Sequence, residues 1–358
     1  MLAGFRSVPP SFVLVVALLA SRGAVAAPIV YDLVTVGNPG NSNDPATGYG
    51  GVPYAYQIGT YHVTIGQYTA FLNAVAQTDT HGLYNSAMDT DLNVAGIARS
   101  GTSGGYTYAV KNNGGDSGNR PISYVDWFSA ARFSNWIANG QPTGLQTGTT
   151  TENGAYALNG ATSGTAPAAN AISPNTAAAP LFSLPTENEW YKAAYYDPTL
   201  AGGSGGYYLY ATRSNTAPGN DATNPTAANQ ANYVNADGEY AVTQSTTLSP
   251  SQNYLTDVGA FTASASYYGT FDQTGNVYQW NDLSGAAGTT RGLRGGAWNL
   301  AATLVSATSR LGAVSASTAN YDTGFRLVSP VPEPAGWLLT LAGLAGGVAW
   351  LRRRTTLI

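Results

Sequence analysis

The 358-residue sequence contains no cysteine and only two histidines, His62 and His81. Without cysteine the chain can form no disulfide, thiolate nucleophile, iron–sulfur cluster, or zinc- or copper-thiolate site. Two histidines are too few for a three-histidine metal centre, and they lack the H-x-x-x-H spacing of zinc ligands on a helix. Both are therefore expected to be surface or hydrogen-bonded structural residues rather than ligands or bases.

Charge is also scarce. Charged residues make up 9% of the chain, against about 25% in an average soluble protein. The net charge is −4, and no basic stripe is present, so the sequence lacks the electrostatic footprint of a nucleic-acid-binding protein. Because seven Trp and 24 Tyr can build a core, the composition indicates a compact, loop-rich extracellular domain rather than a disordered chain.

The C-terminal tail, residues 331–358, has three parts: a Pro-Glu-Pro motif, an apolar run and a basic cluster. They are Pro332, Glu333 and Pro334; residues 337–351; and Arg352, Arg353 and Arg354. The apolar run is somewhat shorter than the ~20 residues of an average transmembrane helix, but the arginine side chains can extend to the headgroups. The positive-inside rule places these arginines on the cytoplasmic side. We therefore predict a C-terminal transmembrane helix.

This tail closely resembles the PEP-CTERM sorting signal. The resemblance implies an exported precursor that is held in the inner membrane until an exosortase-type transpeptidase removes the tail. The alternative is an ordinary C-terminal membrane anchor on a periplasmic domain. We favour the sorting signal, because a plain anchor does not need the Pro-Glu-Pro motif.

The N-terminus predicts export as well. Arg6 provides a positive charge, residues 12–20 form a short apolar core, and Ala24-Val25-Ala26 has the pattern of a signal-peptidase site. We assign residues 1–26 to a signal peptide, residues 27–330 to one domain, and residues 331–358 to the sorting signal. The mature protein is then expected at the cell surface or outside the cell.

Within the domain, three helix starts are predicted from N-capping patterns. The capping residues are Thr64 with Gln67, Ser123 with an acidic Asp126 in the first turn, and Thr186 with Glu189. The first helix is expected to end near Ala76, the second at Asn139-Gly140, and the third at Asp197-Pro198.

Short strands are predicted over residues 54–63, 277–280, 291–298 and 324–328. The Gly-, Asn- and Thr-rich segments 141–180 and 199–269 are expected to be long insertions, the first of them at the surface. Short helices among irregular strands indicate a single α+β domain rather than a layered parallel sheet.

Five motifs in order then resemble one family, the sulfatase-modifying factors or formylglycine-generating enzymes. They are Tyr61-His62-Val63-Thr64 with Gln67-Tyr68 and Phe71; Arg120-Pro121-Ile122-Ser123-Tyr124-Val125-Asp126-Trp127; Leu184-Pro185-Thr186-Glu187-Asn188-Glu189-Trp190; Gly275-Asn276-Val277-Tyr278-Gln279-Trp280; and Arg294-Gly295-Gly296-Ala297-Trp298 with Gly324-Phe325-Arg326-Leu327. The resemblance implies a C-type-lectin-like fold with little regular secondary structure. It also implies that Trp190, Trp280 and Trp298 are core residues.

The oxidising members of this family use copper, held by two cysteines just after the Arg-Gly-Gly segment, to oxidise a substrate cysteine. The corresponding positions here are Leu300 and Val305, neither of which can bind copper. Sulfoxide synthases of the same fold use an iron site of histidines and carboxylates, for which this sequence has too few histidines. We therefore expect neither copper nor iron as a cofactor, and no catalytic residue is assigned.

The resemblance further implies structural calcium, which binds to hard oxygen ligands. The first set of candidate ligands is the Asp272 side chain, the Gly275 and Val277 carbonyls, and Gln279, where the family usually has glutamate. The loss of that carboxylate is expected to weaken binding. A second site would include the Asn232 side chain and the Tyr233 carbonyl. The alternative is that ordinary hydrogen bonds hold both loops.

Two functions follow from these patterns. The first is a non-catalytic surface or matrix protein, processed by signal peptidase and exosortase, whose Tyr-, Asn-, Ser- and Gly-rich loops bind an exopolysaccharide or a surface protein. The second is a formylglycine-generating or other oxidoreductase that acts on a protein substrate. The hydrocarbon side chains at Leu300 and Val305 favour the first.

Overall fold

The computed structural model describes residues 28–170, 175 and 182–331. The predicted signal peptide and the motif, apolar run and arginines of the predicted sorting signal lie outside these residues. Over the part of the chain that the structure describes, no helix is both long and apolar enough to cross a membrane.

Short elements separated by irregular backbone make up the fold. In chain order they are β1 (Leu33–Val36), β2 (Tyr56–Gly59), α1 (Ile65–Val75), α2 (Ala87–Thr90), β3 (Ile97–Ser100), β4 (Thr107–Val110), α3 (Trp127–Ala138), α4 (Glu187–Tyr195), β5 (Tyr196–Asp197), the helical turn α5 (Leu200–Gly203), β6 (Gly206–Tyr207), β7 (Tyr278–Asn281), β8 (Thr290–Arg294), β9 (Leu311–Ser315), β10 (Thr323–Gly324) and β11 (Val328–Pro330).

Two of the predicted capping boxes are confirmed. At α1 the Gln67 amide donates to Thr64 Oγ1 at 3.2 Å, while the Thr64 amide donates to the Gln67 side chain at 3.0 Å. At α4 the Thr186 amide donates to Glu189 Oε2 at 2.7 Å, and the Glu189 amide donates back to Thr186 Oγ1 at 3.3 Å. These reciprocal bonds satisfy amides that a helix start would otherwise leave unpaired.

The predicted start of α3 at Ser123 is wrong by three residues. Asp126 itself is the N-cap, and its carboxylate accepts a hydrogen bond from the Ser129 amide at 2.7 Å. Tyr124 lies before the helix with a φ of 58°, and its hydroxyl donates to Asp91 Oδ2 at 2.6 Å. Since either Ser or Asp can cap a helix, the local sequence could not choose between the two starts.

The strands form two main sheets. In the first, β2 lies between β1 and β11 and is antiparallel to both, so strands from the beginning and the end of the domain share one neighbour. The second sheet has the order β10-β7-β8-β9, with β10 parallel to β7 and the other pairs antiparallel. The pairs β3–β4 and β5–β6 are separate antiparallel ribbons.

An aromatic core joins helices α1 and α3 to the chain near β10. Tyr68 and Phe71 of α1 contact Phe133 of α3, with ring centroids 6.1 Å and 5.3 Å apart. Phe325, which follows β10, lies edge-on to Phe133 at 5.4 Å. Trp136 completes the cluster against Phe71. Burial of these rings explains why such short elements form one packed unit.

Segment 141–180 is not only a surface insertion, which corrects the sequence prediction. Glu152 and Tyr156 are buried, and Glu152 Oε1 accepts a 2.7 Å hydrogen bond from Arg132 Nε of α3. The Tyr156 hydroxyl donates to Asp282 Oδ2 at 2.6 Å. These two polar residues insert into the domain because each has a buried partner, and composition alone does not reveal that pairing.

Candidate functional site

Leu300 and Val305 are packing residues. Val305 is completely buried in an apolar cluster that includes Tyr210 and Tyr233, and Leu300 packs against the same cluster. A Cβ atom on Gly296 would lie 2.5 Å from Val305 Cγ1, so Val305 contacts the second glycine of the Arg-Gly-Gly segment directly. At these two positions the chain therefore offers hydrocarbon surface and no electron pair for a metal.

Arg326 is the centre of a buried hydrogen-bond network. Its side chain is completely buried, and its guanidinium donates to the Gly59 carbonyl at 2.9 Å, the Phe271 carbonyl at 2.7 Å and Gln279 Oε1 at 2.5 Å. Burial lowers the pKa of Arg326 to about 10, while Asp272 acts in the opposite direction. The guanidinium therefore stays charged at neutral pH, and the domain contains a fully buried positive charge at this position.

Gln279 connects this network to α4. Its Oε1 atom accepts hydrogen bonds from both Arg326 and Trp190 Nε1, the latter at 2.8 Å, and its Nε2 atom donates to the Asp272 carbonyl at 3.1 Å. An amide can accept and donate at once, whereas a carboxylate can only accept. Glutamine therefore satisfies its three neighbours here in a way that a glutamate would not.

Asp272 lies beside the same network. It has a φ of 58°, and its Oδ2 atom accepts a hydrogen bond from the Gly259 amide at 2.7 Å. Burial raises the pKa of Asp272 to about 6, although Gly259 and Arg326 act to lower it. With Gln273 and Thr274 it also lines a cavity of about 10 Å³, close to the space one water molecule needs.

The first set of predicted calcium ligands fits an ion only in part. Asp272 offers a partly buried carboxylate oxygen, which suits calcium. The Val277 carbonyl, however, accepts from His62 Nε2 at 3.2 Å, and the Gln279 oxygen already has two donors. Within the described ranges, no three His, Cys, Asp or Glu side chains are grouped as a metal site. Calcium would therefore have to replace existing hydrogen bonds.

The second predicted set, Asn232 and Tyr233, lies at a junction between backbone segments. Asn232 Nδ2 donates to the Tyr254 carbonyl at 2.9 Å and to Asn276 Oδ1 at 3.1 Å. The Tyr233 carbonyl accepts from Asn220 Nδ2 at 3.1 Å. Ion binding here stays a prediction, and the observed bonds give both residues a structural role.

Glu187 forms a second buried network that the sequence did not indicate. It is 3% exposed, and Arg294 Nη2 lies 2.8 Å from its Oε1 atom. Arg310 binds the same carboxylate through two hydrogen bonds of 2.5 Å and 2.7 Å. Arg294 also lies over the Tyr191 ring, 4.9 Å from its centroid. One carboxylate thus balances two guanidinium groups and ties α4 to β8 and the start of β9.

An open cleft of about 620 Å³ is lined in part by Tyr31 and His62. Four distant chain segments line it: residues 29–32, 61–67, 118–119 and 257–258. Its volume is within the range of about 300–1,000 Å³ that is typical of small-molecule sites. The polar and aromatic side chains that line it include Asp32, Tyr61, His62, Asn119 and Asp257.

The Tyr61 ring forms a fixed aromatic wall of this cleft. It is stacked on Phe271, with ring centroids 5.5 Å apart and an interplanar angle of 26°. Gly259 has a φ of +71°, and a Cβ atom there would come within 2.5 Å of Tyr61 Cε1. The glycine is therefore required both by its backbone conformation and by the closeness of the tyrosine ring.

His62 lies at the buried side of the cleft and is 1% exposed. A carbonyl oxygen can only accept, so the contact with Val277 assigns the ring proton to Nε2. Burial and the nearby Arg326 hold the pKa of His62 well below its usual range, so the ring is neutral. Its Nδ1 atom is then an acceptor, buried and without a hydrogen-bond partner.

The expected structural hydrogen bond of His62 is present, but its place in a cleft was not predicted. His81 lies elsewhere, with Nε2 3.6 Å from Glu152 Oε1, and burial lowers its pKa. The one local signal for the cleft was the adjacent Tyr61 and His62 just before α1. The other lining segments are far apart in the sequence, so spacing within the chain could not bring them together.

Residues 35–331 match the family model of the sulfatase-modifying factor enzyme 1-like domain. The chain belongs to this family. The match confirms the family that the five motifs indicated, and the small helices and sheets with little regular structure are the family's fold. None of the curated proteins compared with the chain matches it.

Solved structures similar to this sulfatase-modifying-factor-like chain include three that extend over most of it. Variable protein 1 of Treponema denticola is 17% identical, with a TM-score of 0.45. The match covers 84% of this chain and 95% of the Treponema chain. CarF is 20% identical, with a TM-score of 0.46, and the match covers 85% of this chain and 99% of CarF. PvdO from Pseudomonas aeruginosa is 16% identical, with a TM-score of 0.39, and the match covers 84% of this chain and 92% of PvdO.

Proposed function

We propose that this sulfatase-modifying-factor-like protein is an exported, non-catalytic binding module of the cell surface or extracellular matrix. The observation that carries the proposal is the packing of Leu300 and Val305, the positions where oxidising relatives hold copper. Val305 is completely buried in an apolar cluster, and Leu300 packs against that cluster. At these two positions the chain has no side chain that could hold the copper of the oxidising relatives.

The cleft beside Tyr61 and His62 is the proposed binding site. Its mixture of an aromatic ring, an amide and carboxylates suits hydrogen bonding and stacking with an exopolysaccharide. Tyr- and Asn-rich loops are also typical of adaptable recognition surfaces, so capture of a surface protein is the other outcome of a binding experiment.

The test of this function is binding and metal analysis on the exported protein purified from its producing cells. We expect retention on a polysaccharide matrix and less than about 0.1 copper or iron per chain by mass spectrometry, since the ligand positions for copper are hydrocarbon. Copper or iron near one per chain, together with oxidation of a cysteine-containing peptide, would instead favour an oxidoreductase acting on a protein substrate.

Export and sorting complete the proposal. Signal peptidase would remove residues 1–26, and the tail at 331–358 would hold the precursor in the inner membrane until exosortase releases it. The support is the order of the Pro-Glu-Pro motif, the apolar run and the arginines in the sequence.

Replacement of Pro332, Glu333 and Pro334 by alanine is expected to abolish tail removal. The variant should accumulate in the membrane fraction as a chain longer than the mature wild type, as read by gel mobility and intact mass. Substitution of Thr355 and Thr356 by alanine in the same tail is the control and should be processed normally. Unchanged processing of the triple variant would favour a plain membrane anchor.

We also propose weak structural calcium at Asp272, as the family resemblance implies. With a dissociation constant of about 1 mM, about 10 mM calcium would stabilise the fold by about 1.4 kcal/mol. We expect a rise in the melting temperature of about 2–4 °C on calcium addition, reversed by chelation. Asp272→Asn keeps the acceptor for the Gly259 amide and should lose the response, whereas equal responses in both proteins would refute this site.

A further inference from the structure

We propose that the cleft binds a cationic amino-sugar polymer, with one sugar ring against Tyr61 and ammonium groups of the polymer paired with Asp32 and Asp257. This inference rests on the proposed binding function and specifies the class of ligand and the residues that recognise it.

The first argument is that two carboxylates of the cleft have no partner in the protein. Asp32 and Asp257 line the cleft, and both are exposed. Over the described ranges, neither carboxylate group makes a hydrogen bond or a salt bridge. Both can therefore accept from a ligand without the loss of an existing bond. An ammonium group suits them best, because charge-assisted hydrogen bonds are about twice as strong as neutral ones.

The second argument is the charge around these carboxylates, which includes one cation, Arg120. Its guanidinium donates to the backbone carbonyls of residues 113–114 at 2.6 Å and 2.9 Å, and Arg120 does not line the cleft. Burial lowers the pKa of Arg120, while Asp257 and Asp116 act in the opposite direction, so two carboxylates share this one cation. Together with Asp32 they leave an excess of negative charge, which attracts a cationic polymer and repels a polyuronate.

The cation behind the cleft, Arg326, limits where an ammonium group can bind. It is close enough to His62 to hold the pKa of that ring low, and it is completely buried. Asp272 offsets part of its charge, and backbone carbonyls use its donors. An ammonium group is therefore expected at the exposed carboxylates and not at the buried side, where the guanidinium repels it.

The third argument is the fixed aromatic ring, which favours an amino sugar over a lysine side chain. Tyr61 stacks on a phenylalanine ring and contacts Gly259, two positions after Asp257. The residue before Tyr61 donates its amide to the Asp32 carbonyl at 2.9 Å, so both carboxylates belong to segments beside the tyrosine. A rigid sugar that carries its amine on the ring can contact the aromatic face and a carboxylate with one unit. A lysine must first order a flexible four-carbon stem.

The first experiment is isothermal titration of the exported protein with oligosaccharides of equal length. Glucosamine oligosaccharides are compared with their N-acetylated form, which keeps the sugar ring and removes the charge, and with polyuronates. We expect measurable binding of the glucosamine series, at least about 10-fold weaker binding of the N-acetylated series, and the weakest binding for polyuronates. Glucosamine binding should also weaken at least about 3-fold between about 0.05 M and about 0.5 M salt, because salt screens exposed charges.

The second experiment uses matched variants. Asp32→Asn and Asp257→Asn keep the size of the side chain and remove its charge, so the affinity for glucosamine oligosaccharides should fall about 3- to 10-fold in each. Asp237 is an exposed aspartate that does not line the cleft, and Asp237→Asn should stay within about 2-fold of wild type. Tyr61→Ala should lose at least about 10-fold, and Tyr61→Phe, which keeps the ring face, should bind at least about 3-fold more tightly than the alanine variant.

Unfolding midpoints identify any variant that fails to fold, and the exposed aspartate variants decide the matter if Tyr61→Ala does. Glucosamine binding that is unchanged in Asp32→Asn and Asp257→Asn would overturn this site. Equal or tighter binding of N-acetylated oligosaccharides or polyuronates would overturn the ligand class and leave the proposed binding function intact. A tetralysine peptide that binds as tightly as the glucosamine tetramer would overturn the polysaccharide class in favour of a protein. Copper near one per chain with peptide oxidation would overturn the binding function itself.

Discussion

Replacement of Arg326 by methionine is expected to lower the free energy of unfolding by about 3–6 kcal/mol. Methionine fills similar space, so the loss comes from hydrogen bonding rather than from a cavity. The Gly59 and Phe271 carbonyls would each lose a buried donor, at about 1–3 kcal/mol for each unsatisfied group, and Gln279 Oε1 would keep only the Trp190 donor, at a further loss of about 1 kcal/mol. Urea unfolding of the wild type and the variant measures the difference.

The hydrogen-bond acceptors of Arg326 explain why an apolar residue cannot replace this arginine without loss of stability. Exchange of a whole buried ion pair for apolar residues is often harmless, because both partners leave together. Two of the three main acceptors of Arg326 are backbone carbonyls, which no substitution removes. Arg326→Lys should recover only part of the loss, since one ammonium group cannot reproduce the planar, multiple donation of a guanidinium.

Arg213→Met is the matched control for this prediction. Arg213 pairs with Asp197 at 3.0 Å, but its side chain is 48% exposed. The Asp197 side chain is buried, but it keeps hydrogen bonds from the Thr199 amide and hydroxyl when the half-exposed arginine is removed, so this variant should lose only about 1 kcal/mol. Equal destabilisation of the Arg326 and Arg213 variants would contradict the central role of the buried guanidinium.

Replacement of Glu187 by glutamine is expected to cost about 3–5 kcal/mol, because it leaves the buried Arg294 guanidinium without a counter-charge. Arg310 loses its carboxylate too, but that side chain is 33% exposed and can be hydrated. The larger part of the effect therefore belongs to Arg294. Thermal and urea unfolding give the loss, and retention of saccharide binding in the folded fraction separates stability from function.

Two further variants test the origin of this effect. Arg310→Gln should cost far less than Glu187→Gln, because Glu187 keeps its buried partner. The double variant Glu187→Gln with Arg294→Met should be more stable than the sum of the single losses, since it removes the unpaired charge. Strict additivity of the two losses would mean that the carboxylate and the guanidinium act independently.

Local signals in the sequence were sufficient for much of the secondary structure. The capping boxes at Thr64 and Thr186 depend on residues three positions apart, and both form as predicted. The start of α3 was misplaced because Ser123 and Asp126 are both competent caps. The burial of Tyr156 was missed because its partner, Asp282, is 126 positions away. In both cases contacts with distant parts of the chain, and not the local sequence, fixed the outcome.

The candidate site likewise contains some residues that the sequence indicates and others that it does not. Leu300 and Val305 were selected through the family resemblance, by their distance from the Arg-Gly-Gly motif, and the structure shows that both pack against apolar neighbours. The role of Arg326 could not, since its main-chain partners at Gly59 and Phe271 carry no side-chain signal. The cleft beside Tyr61 was also hidden, because four separate segments form it. Backbone acceptors and converging loops are features of the folded chain, and a residue pattern does not record them.

The position of β11 has a consequence for the timing of folding. This last strand completes the sheet on β2, and Arg326 just before it reaches the Gly59 carbonyl, 267 positions earlier in the chain. A nascent chain lacking these final residues has neither the third strand nor the central guanidinium. Contacts between such distant residues form slowly, so the first sheet and the Arg326 network are completed only after nearly the whole domain is available.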